Sequence, residues 1–300
     1  MNEGGGLEVT KPSVFWLDGK AVESRCASEG IQFAYGLFDT LRFDKGVLEQ
    51  PAAHLERLNA GLARLGLSYG LSSQTLHDAF TAAKAAAGLE SGALKLLAMR
   101  RGTPVSDAEV DVQLYLRPNP YGEVQDGGLE KPYSLGLSAF SKNSRSPVAG
   151  LKWQGYADHI LEKDRAMSRG FNDVLFLNEL DFVAESAVAN VFWIAGGRLF
   201  APSLDCGILP GVMRANVLRA AKLAGISAVE GRFPLEALLE SELVFVTNSL
   251  MRLCFVNRVE SAEWQRPSAQ SPALALFKAL QATVLDIVAE AEHGTTGFGV

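Results

Sequence analysis

A lysine within an apolar segment is the first residue of this sequence that could do chemistry. Lys152 lies in the segment VAGLKWQGYADHI, close to Val148, Leu151 and Trp153. An ammonium group among apolar side chains loses hydration, so its pKa falls and it becomes a nucleophile that can form a Schiff base. A lysine whose stem is covered while its charged end stays in water is the commoner arrangement for a lone lysine. The local sequence leaves both interpretations open.

An acidic residue follows an apolar run later in the chain. Glu185 lies in the segment FVAESAVANVFW, which is rich in strand-forming residues. A carboxylate in such a place can face a buried cation, such as a protonated pyridine nitrogen. An acid at a strand end that faces solvent is the alternative, and it is favoured for a single residue taken in isolation.

Three further segments carry groups that bind phosphate in proteins. In ILPGVMRANVL, residues 208–218, a turn at Pro210 and Gly211 leads into a predicted helix, whose first N–H groups and positive dipole end can bind an anion. TNSL, residues 247–250, places small hydroxyl and amide groups after an apolar strand. Arg57, in an earlier predicted helix, could add a charge-assisted hydrogen bond. Each signal is weak alone, because many turns lead into helices and many arginines face solvent.

Length and composition limit the classes of protein to which the chain can belong. It has 300 residues, with 28 lysines and arginines against 34 acidic residues and a formal net charge of −6. Nucleic-acid binding through phosphates needs a clustered basic excess, so we expect no nucleic-acid partner. We expect no membrane span, since no run approaches the ~18 apolar residues that one requires. The three cysteines are widely separated, so we expect no disulfide framework, and the four histidines are scattered, so we expect no metal site. The first residues contain no apolar leader, and we expect a cytoplasmic enzyme.

The first half of the sequence predicts a small α+β domain. Residues 1–12 are Gly-rich and polar, and we expect them to form a flexible tail. Two prolines within residues 117–122 exclude a helix and a central strand there, so we place the small domain at 13–118 and a linker after it. The predicted elements are a hairpin with its turn at Asp44, Lys45 and Gly46, a helix from about Pro51 that ends at Gly66, a helix over 74–87 capped by Ser72 or Ser73, and strands over 93–100 and 111–118.

The second half, residues 123–300, predicts a larger domain that is richer in strands. Several short strands with few helices between them indicate an α+β or closed-barrel arrangement rather than a regular parallel sheet. The predicted strands are SLGLSAF, DVLFLN, LDFVAE, VANVFWI and ELVFVTN, and the predicted helices cover residues 158–169, 213–224 and 272–291.

Taken in order and at their spacing, these segments resemble the class IV family of pyridoxal-phosphate-dependent aminotransferases, from about Phe15 to Val259. YGLFDTLRFDKGVL followed by HLERL resembles the family's opening hairpin and the helix that carries its phosphate-binding arginine. LKWQGY resembles the Schiff-base segment, VAESAVANVFW the glutamate segment, LPGVMR the phosphate turn and TNSL a further phosphate contact. The family's site residues then correspond to Arg57, Lys152, Tyr156, Glu185, Ser249 and the backbone of Val212 and Met213.

The resemblance implies a fold, a cofactor and a role for each site residue. We expect a two-domain α+β fold like that of D-amino acid aminotransferases, pyridoxal 5'-phosphate in the cleft between the domains, and a homodimer. Lys152 would hold the cofactor and then act as general acid and base on the carbon that bears the substrate amine. Glu185 would keep the pyridine nitrogen protonated and Tyr156 would bond to the phenolic oxygen. Arg57 and the phosphate turn would anchor the cofactor.

The family contains lyases and transaminases, and the sequence favours a lyase. Branched-chain enzymes carry Tyr and Arg at positions that here are Leu94 and Leu96, and the Arg-x-His motif of D-amino acid enzymes finds no histidine in residues 100–116. Several segments resemble the 4-amino-4-deoxychorismate lyases, which eliminate pyruvate and form 4-aminobenzoate for folate biosynthesis. A branched-chain or D-amino acid aminotransferase is the alternative, and a non-catalytic cofactor-binding scaffold is a remote one. The candidates for binding substrate carboxylates are Arg42, Lys95, Arg100, Arg101 and Arg252.

Overall fold

The computed structural model of the chain describes residues 13–17, 20–24, 33–67, 69–101, 109–121 and 125–294. Its first element is a short antiparallel hairpin of β1 (Ser13–Leu17) and β2 (Lys20–Ser24). The predicted tail and Gly122 at the end of the predicted linker lie outside the described residues.

A four-stranded antiparallel sheet with two helices follows. It consists of β3 (Gly36–Asp44), β4 (Val47–Leu48), α1 (Pro51–Arg64), α2 (Ser73–Ala87), β5 (Gly92–Arg101) and β6 (Glu109–Arg117). The strands lie in the order β4-β3-β5-β6. Leu55, Leu58 and Leu62 recur at helical spacing on α1 and join Leu41 and Leu94 of the sheet in one buried cluster.

Local sequence signals set the ends of these elements, as predicted. Lys45 and Gly46 connect β3 to β4 with φ angles of 48° and 76°, the left-handed conformation that a tight hairpin turn requires. Pro51 is the first residue of α1, where its missing N–H group costs nothing. The Oγ of Ser72 accepts a hydrogen bond from the N–H of Thr75 at 3.1 Å, so Ser72 caps α2.

The second sheet has nine strands and closes on itself. They are β7 (Tyr133–Leu137), β8 (Asp173–Leu177), β9 (Val183–Ser186), β10 (Asn190–Ala195), β11 (Arg198–Pro202), β12 (Ala228–Gly231), β13 (Leu243–Asn248), β14 (Arg252–Val259) and β15 (Ala262–Glu263). Eight of them lie in the order β12-β11-β10-β13-β14-β7-β8-β9, and the ninth, β15, pairs with β14. Strand β9 also pairs with β10, through Glu185 and Asn190. Six of the strands therefore form a closed ring, and the expected α+β fold with a barrel is confirmed.

Helices cover the outside of this barrel. They are α3 (Ala157–Ser168), α4 (Val212–Leu223), α5 (Leu235–Leu239) and α6 (Pro272–Gly294). Among the described residues, α6 is one helix whose length and composition would suffice to cross a membrane. Its residues Phe277 and Leu280 are fully buried in the same cluster as Phe245 of β13 and Val217 of α4. In this fold α6 therefore packs on the sheet as a core helix.

Some elements of the second half were not predicted from the sequence. These are β11, β12, β14, β15 and α5. In β14 the apolar run from Leu253 to Val256 is only four residues long, and Arg252, Asn257 and Arg258 interrupt the pattern on either side. An apolar run of this length fits either a buried strand or part of a buried helix, so its own sequence does not decide between the two. The division into domains at 13–118 and 123–300 stays a prediction.

Candidate active site

A cavity of about 210 Å³ lies between the first sheet and the barrel. Phe38 and Thr40 of β3 line one side, and residues of β9, β10, β13 and α4 line the other. The site residues that the sequence predicted from separate segments all line this one cavity. They are Arg57, Lys152, Tyr156, Glu185, Val212, Met213 and Ser249.

Backbone hydrogen bonds to the first sheet fix the segment that carries Lys152. The N–H of Phe38 donates to the carbonyl of Lys152 at 2.8 Å, and the N–H of Gln154 donates to the carbonyl of Gly36 at 3.1 Å. The Nζ of Lys152 lies 4.7 Å from the centre of the Phe38 ring. Burial, followed by the positive charge of Arg57, lowers the pKa of Lys152 to about 8. Lys152 is therefore a desolvated amine and not a solvated surface lysine.

Tyr156 lies beside this amine and keeps its proton. Its hydroxyl donates a hydrogen bond to the carbonyl of Ala187, and its ring stacks on His159 with 4.3 Å between ring centres. Burial, followed by the negative charge of Glu185, raises the pKa of Tyr156 well above its ordinary value. The hydroxyl is thus a neutral group whose lone pairs can still accept a hydrogen bond.

Glu185 is buried, so the interpretation as a solvent-facing acid is wrong. Its side chain is 7% exposed, and both of its oxygens accept hydrogen bonds. Oε2 accepts from the N–H of Leu209 at 2.9 Å and from the Nδ2 of Asn190 at 3.1 Å, and Oε1 accepts from the Nζ of Lys142. The carboxylate is therefore held in one orientation at the closure of the barrel, with Lys142 as a cation that the sequence did not point to.

Free donors gather at the opposite end of the cavity. Helix α4 begins at Val212, directly after Gly211, and the N–H groups of its first turn have no partner within the helix. The Oγ1 of Thr247 is buried and finds no hydrogen-bond partner among the described residues. The Oγ of Ser249 lies 3.4 Å from the Nε2 of His54. Because buried donors are normally paired, this end of the cavity fits a phosphate group.

Asp39 is a site residue that sequence reasoning missed. It is 1% exposed and accepts two hydrogen bonds from Arg57, from Nε at 3.0 Å and from Nη2 at 2.6 Å, while the Nδ1 of His54 lies 2.7 Å from it. Burial alone would raise the pKa of Asp39, but the charges and hydrogen bonds of Arg57 and His54 outweigh burial and hold it well below its usual range. A usable signal was present, since His54 and Arg57 are three residues apart on α1 and share a face.

Of the five cations predicted to bind substrate carboxylates, Lys95 lines the cavity and the other four do not. Lys95 lines the cavity, with its Nζ 4.5 Å from the centre of the Phe38 ring. Arg42 and Arg252 do not line it, because both form ion pairs with Glu49, at 3.1 and 2.9 Å. Nothing in the sequence indicated this shared buried carboxylate, which holds both guanidinium groups at a distance from the cavity lining.

Arg100 and Arg101 also lie away from the cavity. The guanidinium of Arg100 is 5.0 Å from the centre of the Tyr35 ring, and Arg101 pairs with Asp111 at 3.4 Å. Arg117, at the end of β6, lines the cavity instead. The sequence placed Arg117 at the end of a predicted strand and the start of the linker, and it was not among the predicted carboxylate-binding cations.

The positions compared with branched-chain enzymes require a correction. Leu94 and Leu96 are fully buried in the cluster between the first sheet and its helices. Residues at these two positions face away from the cavity, whereas Lys95 between them faces it. The presence of leucine at 94 and 96 therefore carries no information about the substrate.

Comparison with known proteins identifies the family. A family model described as class IV amino-transferase matches residues 36–259. This chain belongs to that family. It is an enzyme of the class IV aminotransferase fold, and its cofactor is pyridoxal phosphate. The residues that line the cavity fit this cofactor, because unpaired donors occupy one end, a buried carboxylate the other and a desolvated amine the space between them.

Similar proteins within the class IV family include both lyases and aminotransferases. The chain is 26% identical over 269 residues to an aminodeoxychorismate lyase of Bacillus subtilis, covering 86% of this chain and 90% of the relative. It is 28% identical over 258 residues to an aminodeoxychorismate lyase of Vibrio harveyi, covering 83% and 93%. A solved branched-chain aminotransferase of Thermoproteus uzoniensis shares the fold, with a TM-score of 0.75, 22% identity and coverage of 94% and 96%.

The lowered pKa of Lys152 predicts an unusual labelling profile. In the cofactor-free protein, reaction of Lys152 with acetic anhydride should reach half its maximal rate near pH 8, because the amine is protonated below its pKa and nucleophilic above it. Mass spectrometry of the peptide that contains Lys152 measures this profile. A lysine model peptide, whose pKa is about 10.4, is the control. A profile of Lys152 that coincides with that of the model peptide would contradict the desolvated amine.

Proposed function

We propose that this chain is a pyridoxal-phosphate-dependent 4-amino-4-deoxychorismate lyase. The observation that carries the proposal is a pair of cations on one face of the first sheet. Lys95 is opposite Tyr115 in the strand register, and Arg117 is two residues beyond Tyr115, so the two cations are diagonal neighbours. Both line the cavity, and in the described part of the chain neither is paired with a carboxylate.

Two neighbouring positive charges that pair with no carboxylate of the described residues favour an anionic ligand. Burial, followed by the charge of Arg117, lowers the pKa of Lys95, which reflects the repulsion between the two groups. A substrate with two carboxylates would relieve this repulsion and gain charge-assisted hydrogen bonds. 4-Amino-4-deoxychorismate has two carboxylates, and aminodeoxychorismate lyases are among the similar proteins.

The residues of this chain would hold the cofactor at both ends. Arg57, the first N–H groups of α4 and the hydroxyls of Thr247 and Ser249 would bind its phosphate. Glu185 would hold a proton on its ring nitrogen, and Tyr156 would contact its phenolic oxygen. When bound, pyridoxal phosphate supplies an aldehyde that captures amines and a ring that withdraws electrons from the carbon bearing the amine.

Lys152 would move the protons of the reaction. Its neutral Nζ would remove the proton from the ring carbon that bears the substrate amine. The electrons of that C–H bond would form the third double bond of aromatic 4-aminobenzoate as the carbon–oxygen bond on the neighbouring carbon breaks. The enolpyruvate that leaves would take up a proton and become pyruvate. A base with a pKa of about 8 suits this task, because a useful fraction is neutral near pH 7 while its conjugate acid can still return a proton.

A non-catalytic role explains the arrangement less well. A scaffold that merely bound the cofactor would need the phosphate end of the cavity, but it would need neither a desolvated amine nor two lining cations that no described carboxylate pairs with. The homodimer and the cytoplasmic location expected from the sequence stay predictions.

Product analysis tests the proposed reaction. Purified protein loaded with cofactor, given 4-amino-4-deoxychorismate, should release 4-aminobenzoate and pyruvate in equal amounts. Lys152→Ala should abolish both products, because it removes the base, while Lys131→Ala, at an exposed lysine, should leave them unchanged. If the wild type gave neither product but transferred amino groups from amino acids to 2-oxoglutarate, the chain would be an aminotransferase. Wild-type turnover by Lys152→Ala would contradict the assignment of the base.

Asp39 predicts a second measurable effect, on cofactor affinity. Asp39→Asn should raise the Kd for pyridoxal phosphate about tenfold or more, because Arg57 loses the buried charge that fixes its guanidinium group. Titration of the cofactor-free protein, followed by absorbance, measures this Kd. Asp44→Asn on the same strand, where the half-buried carboxylate accepts a hydrogen bond from Ser91 away from the cavity, is the control. Unchanged affinity in folded Asp39→Asn protein would remove Asp39 from the phosphate site.

Arg117 predicts an effect on substrate binding. Arg117→Gln should raise KM about tenfold with little change in kcat, since a carboxylate remote from the reacting bond is bound equally in the ground state and the transition state. Arg101→Gln is the matched control, because Arg101 belongs to the same sheet and pairs with Asp111 outside the cavity. Equal KM values for Arg117→Gln and the wild type would remove Arg117 from the substrate site.

A further inference from the structure

Lys142 is a buried cation to which neither the sequence resemblance nor the proposed reaction assigns a role. Its backbone is fixed on β8, since its N–H donates to the carbonyl of Leu177 at 2.9 Å and its carbonyl accepts from the N–H of Glu179 at 3.0 Å. Its side chain is 12% exposed, and Nζ donates a hydrogen bond to Oε1 of Glu185. A buried ion pair with a fixed backbone holds its charge in one place.

A second group, on α3, holds the ammonium of Lys142 from the other side. The Nε2 of His159 lies 3.3 Å from the Nζ of Lys142, and its Nδ1 lies 2.8 Å from Oδ1 of Asp158. Burial, followed by the charge of Lys142, lowers the pKa of His159, so the ring is neutral. A neutral imidazole that donates from Nδ1 to Asp158 accepts at Nε2, and Lys142 is the donor there.

Glu185 therefore lies between two cavities. The proposed cofactor site borders it on one side. A second cavity of about 170 Å³, lined by Lys142, His159 and Asp158, borders it on the other. Lys152 and Tyr156 line both cavities and separate them. The charged or titratable groups around Glu185 are thus Lys142 and the His159–Asp158 pair in the second cavity, and Lys152 and Tyr156 in the dividing wall.

We propose that Lys142 is a positioning residue that acts through Glu185 to lower the proton affinity of the cofactor's ring nitrogen. The inference rests on the proposed function in one respect, namely that Glu185 faces that nitrogen. A carboxylate already shared with an ammonium stabilises a second cation less than a free carboxylate does, and the positive charge of Lys142 also repels a protonated ring. Both effects favour the neutral nitrogen. This chain would then hold its cofactor less protonated than Glu185 alone would hold it.

Nitrogen NMR of the loaded protein tests the inference without using turnover. Wild type, Lys142→Met and Lys142→Gln are each reconstituted with pyridoxal phosphate labelled with ¹⁵N in the ring, and the nitrogen shift is followed against pH. Both uncharged variants should titrate about one pH unit or more above the wild type, because the competing charge is gone. Lys142→Arg should titrate with the wild type, since it restores the charge. Lys131→Met, at an exposed lysine, is the control.

Lys142→Gln retains a hydrogen-bond donor for Glu185, so it keeps the test valid if Lys142→Met does not fold. A ring nitrogen that titrates identically in the wild type and the uncharged variants, or that stays fully protonated in the wild type throughout, overturns the inference.

The variant Glu185→Gln tests the premise that Glu185 contacts the ring nitrogen. A lower midpoint in Glu185→Gln supports the contact between Glu185 and the ring, whereas an unchanged midpoint overturns that contact and the inference with it. The lyase reaction is judged independently by its products.

Discussion

The site depends on one buried negative charge. Asp39 is almost completely shielded from solvent, so its charge is tolerated only because Arg57 and His54 pair with it. The same pairing holds the guanidinium of Arg57 in place, and Nη1 of Arg57 donates to the carbonyl of Pro210 at 3.3 Å, two residues before α4 begins. Through His54 the network also reaches Ser249 after β13. A charge on the first sheet thus fixes groups that belong to the barrel.

The barrel contributes a second constraint, at the point where it closes. Strands β9 and β10 pair at Glu185 and Asn190, and the side chains of these two residues are also hydrogen-bonded to each other. The residue pair that closes the barrel is therefore also the pair that orients the carboxylate of Glu185. Lys152 lies between this closure and the ion pair of Asp39. The geometry of its surroundings, more than its own sequence, makes it a reactive amine.

The sequence identified site residues that lie within contiguous family-like segments. It was less informative about residues whose role depends on contacts with residues far away in the chain. Lys152 and Glu185 lie in segments whose resemblance identified them, and the structure brings them into one cavity. Asp39 and Thr247 become significant only when β3 and β13 are brought together at the phosphate end of that cavity. Arg42 looked available because nothing in its own strand indicated that Glu49 would pair with it. Hydrophobic patterning predicts faces of elements, but it does not predict which charges meet across them.

The amide of Asn190 joins the two ends of the cavity in a way that bears on how the family can evolve. Its Nδ2 donates to Glu185 and to the carbonyl of Leu209, and its Oδ1 lies where a side chain on residue 211 would begin, 2.2 Å from a Cβ placed on Gly211. Any larger residue at 211 would displace this amide and, with it, the carboxylate. A substitution at any one of positions 185, 190 and 211 therefore constrains which residues the other two positions can accept. Among homologues we expect them to be retained together or exchanged together, even where the surrounding sequence has diverged.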